Sequence, residues 1–251
     1  MPVRNEIFPH LDVMNTDENF KGHSYGDLVA IWANWLLGPY PDYRDGGEIL
    51  LARGNVGHYD DSTSAYDRTG NNSISIFRDT AVLIPVMTAM FHSGHSRDGY
   101  TVENGDALRE AVRADINASG DIWARIQRRG AQEVYKIVGD LQRFYVESPI
   151  CNLTVSEQNP FRQRLEFPIE PGVYEMVVGG IFIFIRQLPP GEYTLWFGGR
   201  GRGVYYTDAY YEINVRDQYR PRFIRDVSAD PDAQANPRLQ RPLLGLAQPG
   251  P

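Results

Sequence analysis

The spacing of apolar residues changes character along this chain, and the change divides it into helical and strand territory. Near the start, Leu28, Ile31, Trp32, Trp35 and Leu36 recur at i, i+3, i+4, i+7 and i+8, the spacing of one helix face. Ser24 with Asp27 three residues on has the form of a capping box, and Gly38-Pro39 blocks continuation, so a helix is expected between them. A second is expected from Asp106 to Ala118, where Leu108, Ala111, Val112 and Ile116 share a face and Gly120 supplies the stop. Between the two, Ile74, Ile76 and the run Thr80 to Val86 read as core strand, with Pro85 predicting an edge position or a bulge at its end.

From residue 121 onward the period shortens to two. Ile122 to Ile126, Val134 to Val138, Phe144 to Val146 and Leu153 to Val155 are β-favouring runs separated by Gly, Asp, Pro or Asn. Met176 to Ile185 is almost wholly apolar but about half the length that spans a bilayer, and it contains Gly179 and Gly180, so it reads as a buried strand. Leu188-Pro189-Pro190-Gly191-Glu192 is a turn. After it, Tyr193, Leu195 and Phe197 point one way, and Tyr205, Thr207, Ala209, Tyr211, Ile213 and Val215 alternate in a partner strand. Those two strands should pair across Gly198 to Gly203, whose glycines suit a hairpin loop.

The fold class expected is β-rich α+β: an antiparallel β-sandwich, Ig-like or jelly-roll, with one or two short amphipathic helices and extended terminal arms. Residues 1–22 read as an N-terminal arm, 23–215 as a single β-rich body, and 216–251 as a Pro-rich C-terminal arm. In that last segment six prolines forbid helix and ladder alike. Phe223, Ile224, Val227, Leu239, Leu243, Leu244 and Leu246 stand between its arginines as apolar anchors for a neighbouring subunit.

Composition narrows the function classes. With 42% hydrophobic and 23% charged residues, the chain falls near the globular average, so neither wholesale disorder nor a membrane protein is expected. A net charge of −7 argues against general nucleic-acid binding, which needs a basic field over a whole face. Cys151 is the one cysteine, which excludes an intramolecular disulfide framework and a Cys-based zinc site. The N-terminus carries no apolar run of signal-peptide type, so a virion or, alternatively, cytoplasmic location is expected. Only Lys21 and Lys136 are lysines among 25 basic residues; arginine suits planar multi-donor contacts at interfaces, although genomic base composition gives the same bias.

Tyr25-Gly26, Trp32-Ala33-Asn34-Trp35, Pro41 with Asp45-Gly46, Leu83-Ile84-Pro85-Val86, and Leu188-Pro189-Pro190-Gly191-Glu192-Tyr193-Thr194 occur in that order over roughly residues 24 to 215. In this the chain resembles an uncharacterised family of bacterial, archaeal and phage proteins that open with a Trp-containing helix and close with an Ig-like or jelly-roll sheet. The resemblance implies that fold and brings no catalytic residues. Many members look secreted and some carry extra cysteines; this chain departs from both features.

Candidate chemistry is sparse. His92, His95 and Asp98 place two imidazoles and a carboxylate within a glycine-containing loop, a weak transition-metal candidate set against an ordinary loop. Asp42, Asp45, Glu48, Asp60 and Asp61 could offer oxygen ligands to calcium, but their spacing is not that of an EF-hand, and a solvated turn-rich face explains them as well. Tyr205, Tyr206, Tyr210 and Tyr211 are either stacking platforms for sugars or cross-strand pairs that stabilise the sheet. No Gly-x-Ser-x-Gly, His-Glu-x-x-His or P-loop pattern occurs. The expected protein is therefore not an enzyme and has no cofactor. It is a structural or accessory component of a large assembly, a virion (capsid or tail) decoration or cement protein in many copies, attached through its arms to protein subunits and not inserted in a membrane. The alternatives are a carbohydrate- or surface-binding β-sandwich module and, third, a hydrolase with a nonlocal active site.

Overall fold

A computed structural model describes residues 11–38, 48–52, 55–58, 73–94, 96–97, 100–102, 105–130, 134–137, 141–159, 169–201 and 205–217. In chain order the elements are β1 (Asp12–Val13), β2 (Asn19–Phe20), β3 (His23–Ser24), α1 (Tyr25–Leu37), β4 (Ile49–Leu51), β5 (Asn55–His58), β6 (Ser73–Phe77) and β7 (Ala81–His92). They continue with β8 (Ser96–Arg97), β9 (Tyr100–Thr101), α2 (Asp106–Asn117), β10 (Gly120–Arg128), β11 (Val134–Ile137), a 3-10 turn at Leu141–Phe144, β12 (Tyr145–Glu147) and β13 (Cys151–Val155). The last three are the long strands β14 (Gly172–Gln187), β15 (Gly191–Arg200) and β16 (Tyr205–Arg216).

The strands form two main sheets. The first is ordered β1-β14-β7-β4, with β12 and β13 also paired to β14; the second is ordered β11-β10-β15-β16-β5, with β6 also paired to β16. Most pairings are antiparallel, as expected, but β4 with β7 and β6 with β16 are parallel. Facing side chains of the two sheets make one core. Val82, Ile84 and Val86 of β7 with Ile181, Ile183 and Ile185 of β14 meet Ala124 and Ile126 of β10, Leu195 and Phe197 of β15, and Tyr211 and Ile213 of β16. The fold is thus a β-rich α+β sandwich whose two sheets bury their facing sides against each other.

Alternation also explains the helices. The opposite face of the first sheet presents Leu83, Phe182 and Phe184 to Leu28, Val29, Trp32 and Leu36 of α1. Trp32 is 2% exposed, meets Phe182 edge-on with ring centroids 5.4 Å apart, and donates its indole N–H to the Ala52 carbonyl at 2.7 Å. The hydroxyl of Tyr25 likewise donates to the Phe182 carbonyl at 2.9 Å, and burial raises its pKa. Trp35 packs at the margin of the same cluster, half-buried. The expected capping box is present, and at the other end of α1 the buried Asn159 donates from Nδ2 to the carbonyls of Leu36, at 2.5 Å, and Gly38, at 2.7 Å. A distant loop therefore satisfies the orphan acceptors that end a helix.

The second helix lies on the inner side of the first sheet, beside the second sheet. Its Leu108, Val112 and Ile116 pack on Met87, Ala89 and Phe91 of β7 and on Val177 of β14. A bulge makes this possible. Ile181 pairs with Met87 while the next residue, Phe182, pairs with Pro85, so Val86 is an extra residue on β7. Val86 and Met87 consequently both point inward, one to the sandwich core and one to α2. Opposite the bulge, Gly180 has φ +152°, and a Cβ there would fall 2.1 Å from the Met87 carbonyl oxygen, so only glycine fits.

Several expectations change. The strand expected over Thr80 to Val86 continues to His92, because the bulge at Pro85 bends the ladder without ending it. Residues 11–22 do not form an arm: Leu11, Val13 and Met14 are buried and β1 is an edge strand on β14. At the other end, Arg216 closes β16, its carbonyl accepts from the Arg78 N–H, and Asp217 pairs with Arg78 Nη1 at 3.1 Å. The body thus reaches at least Asp217. Gly198 and Gly199 lie in the β15–β16 ladder rather than in the turn, and a Cβ on Gly199 would stand 2.8 Å from the flexible end of Met87 and 3.1 Å from the Ile122 Cα. Among residues 38–73 the described part includes β4, β5 and the first residue of β6.

Candidate functional site: the outer face of the second sheet

The residues that alternate with the sandwich core of β10, β15 and β16 point away from it and form ordered rows. Cross-strand register sets Arg125, Trp196 and Tyr210 in one row, and Gln127, Thr194, Glu212 and Ser73 in the next. Glu192, Asn214 and Ser75 make the third. Trp123 sits one step beyond the first row and meets Trp196 edge to face, with centroids 4.9 Å apart and planes at 82°. Trp123, Trp196 and Tyr210 are half-buried, whereas Glu192, Glu212 and Asn214 are exposed.

A half-open hollow of about 460 Å³ lies over the polar rows, a size typical of small-molecule sites. Gln127, Thr194, Glu212 and Asn214 line it, with Tyr210 on one side and the ion pair Arg129–Glu192, at 2.9 Å, on another. Hydrogen bonds within the face preset two of its side chains. Gln127 Oε1 accepts from Arg125 Nη2 at 2.8 Å, leaving its amide N–H groups to point elsewhere, and the Tyr210 hydroxyl donates to Glu212 Oε1 at 3.3 Å. The described residues lining the hollow include no histidine, cysteine or lysine. What the face offers is hydrogen bonding and ring contact.

A second polar cluster is structural. Glu147 on β12 is 9% exposed; its carboxylate receives Arg113 Nε at 2.6 Å and Nη2 at 3.0 Å, Arg109 Nη1 at 3.0 Å and the Tyr145 hydroxyl at 2.6 Å. Burial alone would raise this carboxyl, but the hydrogen bonds from Arg113, Tyr145 and Arg109 outweigh it and hold the pKa below the usual carboxylate range. Burial and the neighbouring carboxylate push the Tyr145 phenol up. Arg109 and Arg113, one turn apart on α2, thus clamp that helix to the first sheet. Close backbone contacts frame the clamp: a Cβ on Gly26 would stand 2.7 Å from the Glu147 carbonyl oxygen, and one on Gly179 would stand 3.1 Å from Glu147 Cγ.

Of the residues singled out from the sequence, His92 ends β7 with its ring 4.6 Å from that of Tyr174 and Nδ1 2.9 Å from the Ser93 carbonyl oxygen; His95 and Asp98 lie outside the described residues. Asp42, Asp45, Asp60 and Asp61 also lie outside them, and Glu48 pairs with Lys21 at 2.9 Å. Among the described residues no group of three or more His, Cys, Asp or Glu side chains is placed to hold a metal ion. Tyr211 is buried and stacked on Phe197 within 5° of parallel, a core role, while Tyr210 faces outward; the side chains of Tyr205 and Tyr206 are not among those described. Cys151 sits half-buried on β13, where burial raises its thiol pKa. The anchors Phe223, Ile224, Val227, Leu239, Leu243, Leu244 and Leu246 lie outside the described residues. No described helix is long and apolar enough to cross a membrane.

Sequence reading passed over Trp123, Gln127, Thr194, Trp196, Glu212 and Asn214. Their signal was present in the alternation of β10, β15 and β16, but which polar positions align depends on register between strands up to about 140 residues apart. Compared with known proteins, the chain matches no family model, no curated protein and no solved structure.

Proposed function

We propose that the protein is a non-catalytic surface-binding module that recognises its partner through the outer face of its second sheet. One observation carries this reading: three strands in register hold a row of Arg125, Trp196 and Tyr210 beside two polar rows, with a hollow of about 460 Å³ over the polar rows. Rows on a sheet are fixed by the backbone ladder, so such a surface is organised before anything binds, and preorganisation favours affinity. The test is site-specific photo-cross-linking of the full chain in its native setting, with the reactive side chain at Thr194 and, as control, at the exposed Glu110 of α2. A discrete adduct at Thr194 alone is expected. No adduct there, or equal adducts at both positions, overturns the reading.

A second reading rests on the sequence of residues 216–251. Six prolines and seven apolar anchors between arginines suit a strap that orders on a neighbouring subunit, as in a virion decoration or cement protein present in many copies. The two readings are compatible, since a module that docks by a strap still presents its sheet face. Truncation must fall after Tyr219, beyond the Arg78–Asp217 pair. The shortened protein should fold and fail to enter particles; incorporation at the wild-type level rules the strap out.

A further inference from the structure

We infer that the hollow on the second sheet is a subsite for a neutral saccharide; this rests on the surface-binding reading and supplies its ligand chemistry. A pyranose ring has an apolar C–H face and a rim of hydroxyls, each of which both donates and accepts. Its complement is an aromatic side chain beside fixed amide, hydroxyl and carboxylate groups, and that set occurs here. Tyr210 flanks the hollow, with Gln127, Thr194, Glu212 and Asn214 in two registered rows beside it. Hydrogen-bond roles are mixed in the way hydroxyls require. Glu212 only accepts, Asn214 donates and accepts, and Gln127, whose oxygen already receives Arg125, is left mainly to donate.

Other ligand classes fit the same residues less well. A phosphate or other anion would face Glu192 and Glu212, and among the described residues lining the hollow the one cation, Arg129, is already paired with Glu192 at 2.9 Å. An apolar molecule would desolvate the polar floor without replacing its hydrogen bonds. The aromatic row refines the picture. Trp123 and Trp196 meet at 82°, so they do not form one flat platform, and stacking at the hollow falls to Tyr210. The subsite therefore fits one short stretch of a sugar chain.

The experiment is calorimetry on the full chain with cellohexaose, xylohexaose, maltoheptaose, laminarihexaose and chitohexaose, each also run at high salt. At least one should bind, with an affinity indifferent to salt, as a neutral ligand requires. Tyr210→Ala and Asn214→Ala should each weaken that binding at least tenfold while the melting temperature stays at the wild-type value. Because Tyr210 is half-buried, the exposed Asn214 keeps the test valid if Tyr210→Ala unfolds. Absence of binding by all five sugars, or binding that both variants leave intact, overturns the saccharide assignment. If the sugars fail while the Thr194 cross-link still forms, the ligand chemistry falls and the binding face stands; if the cross-link fails as well, both fall.

Discussion

On the outer face of the first sheet, Phe182 and Phe184 are fully buried beneath α1, and the aromatic hydroxyl and indole groups that reach this layer from the helix end on backbone carbonyls. On the outer face of the second sheet, Trp196 and Tyr210 are half-buried, with Thr194, Glu212 and Asn214 in the rows beside them. Both faces arise from period-two strands. The difference lies in the residues between the core positions: β14 is apolar on both faces, and β15 and β16 are apolar on one. A strand that is apolar on both faces demands a cover, whereas one that is apolar on one face leaves the other free to carry chemistry. The first sheet is thus buried on both faces, whereas the second keeps one polar, partly exposed face, the one proposed above as a binding surface.

The contrast can be broken most strongly at α1. Trp32→Ala removes a fully buried indole and leaves the Ala52 carbonyl without its donor, so a loss of about 3 to 5 kcal/mol is expected. Urea denaturation checks it, and a loss below 1 kcal/mol would mean that the cover is dispensable. Next comes the α2 clamp. Glu147→Ala deprives Arg109, Arg113 and Tyr145 of their shared acceptor and should cost about 2 to 3 kcal/mol, the range for hydrogen bonds to a charged group. Hydrogen exchange should show α2 opening first.

The same carboxylate gives a pH signature of known sign. Its folded pKa lies below that of the unfolded chain, about 4.3, so the unfolded state binds the proton first. The stabilisation is complete above that value and is lost as pH falls through the lower folded pKa. Melts of wild type and Glu147→Gln at stepped pH should begin to approach each other as pH falls below about 4.3 and converge only below the lower folded pKa, and parallel curves would refute the assignment. The smallest effect is expected on the second sheet: Thr194→Ala and Asn214→Ala should each change stability by no more than about 0.5 kcal/mol. A larger loss at these positions would mean that the face is structural.

Much of the fold was legible because it is locally encoded. The cap of α1 needs only Ser24 and Asp27, its buried face only the spacing of Leu28, Trp32 and Leu36, and the pairing of β15 with β16 only two alternating runs and the glycines between them. What escaped depends on residues far apart in sequence. Arg109 and Arg113 find Glu147 from more than 30 positions away, and Asn159 caps a helix that ends more than 120 residues earlier. The candidate face needed strand register, which no single run specifies. Tyr210 and Tyr211 show the limit well: they are adjacent and identical, and the pleat sends one to the surface and the other to the core.

The single extra residue in β7 also bears on how this chain tolerates change in length. In a regular strand, removing one residue turns every later side chain to the wrong face. Here Val86 is the surplus member of the pairing between Pro85 and Met87, and both Val86 and Met87 already point inward. Deleting Val86 would leave Met87, Ala89 and Phe91 facing α2 and would straighten the strand, whereas deleting Thr88 two positions on would turn Ala89 and Phe91 to the opposite side. The strand carries one position at which a shortened gene product keeps its inside and outside, and that position marks the boundary between the two cores it serves.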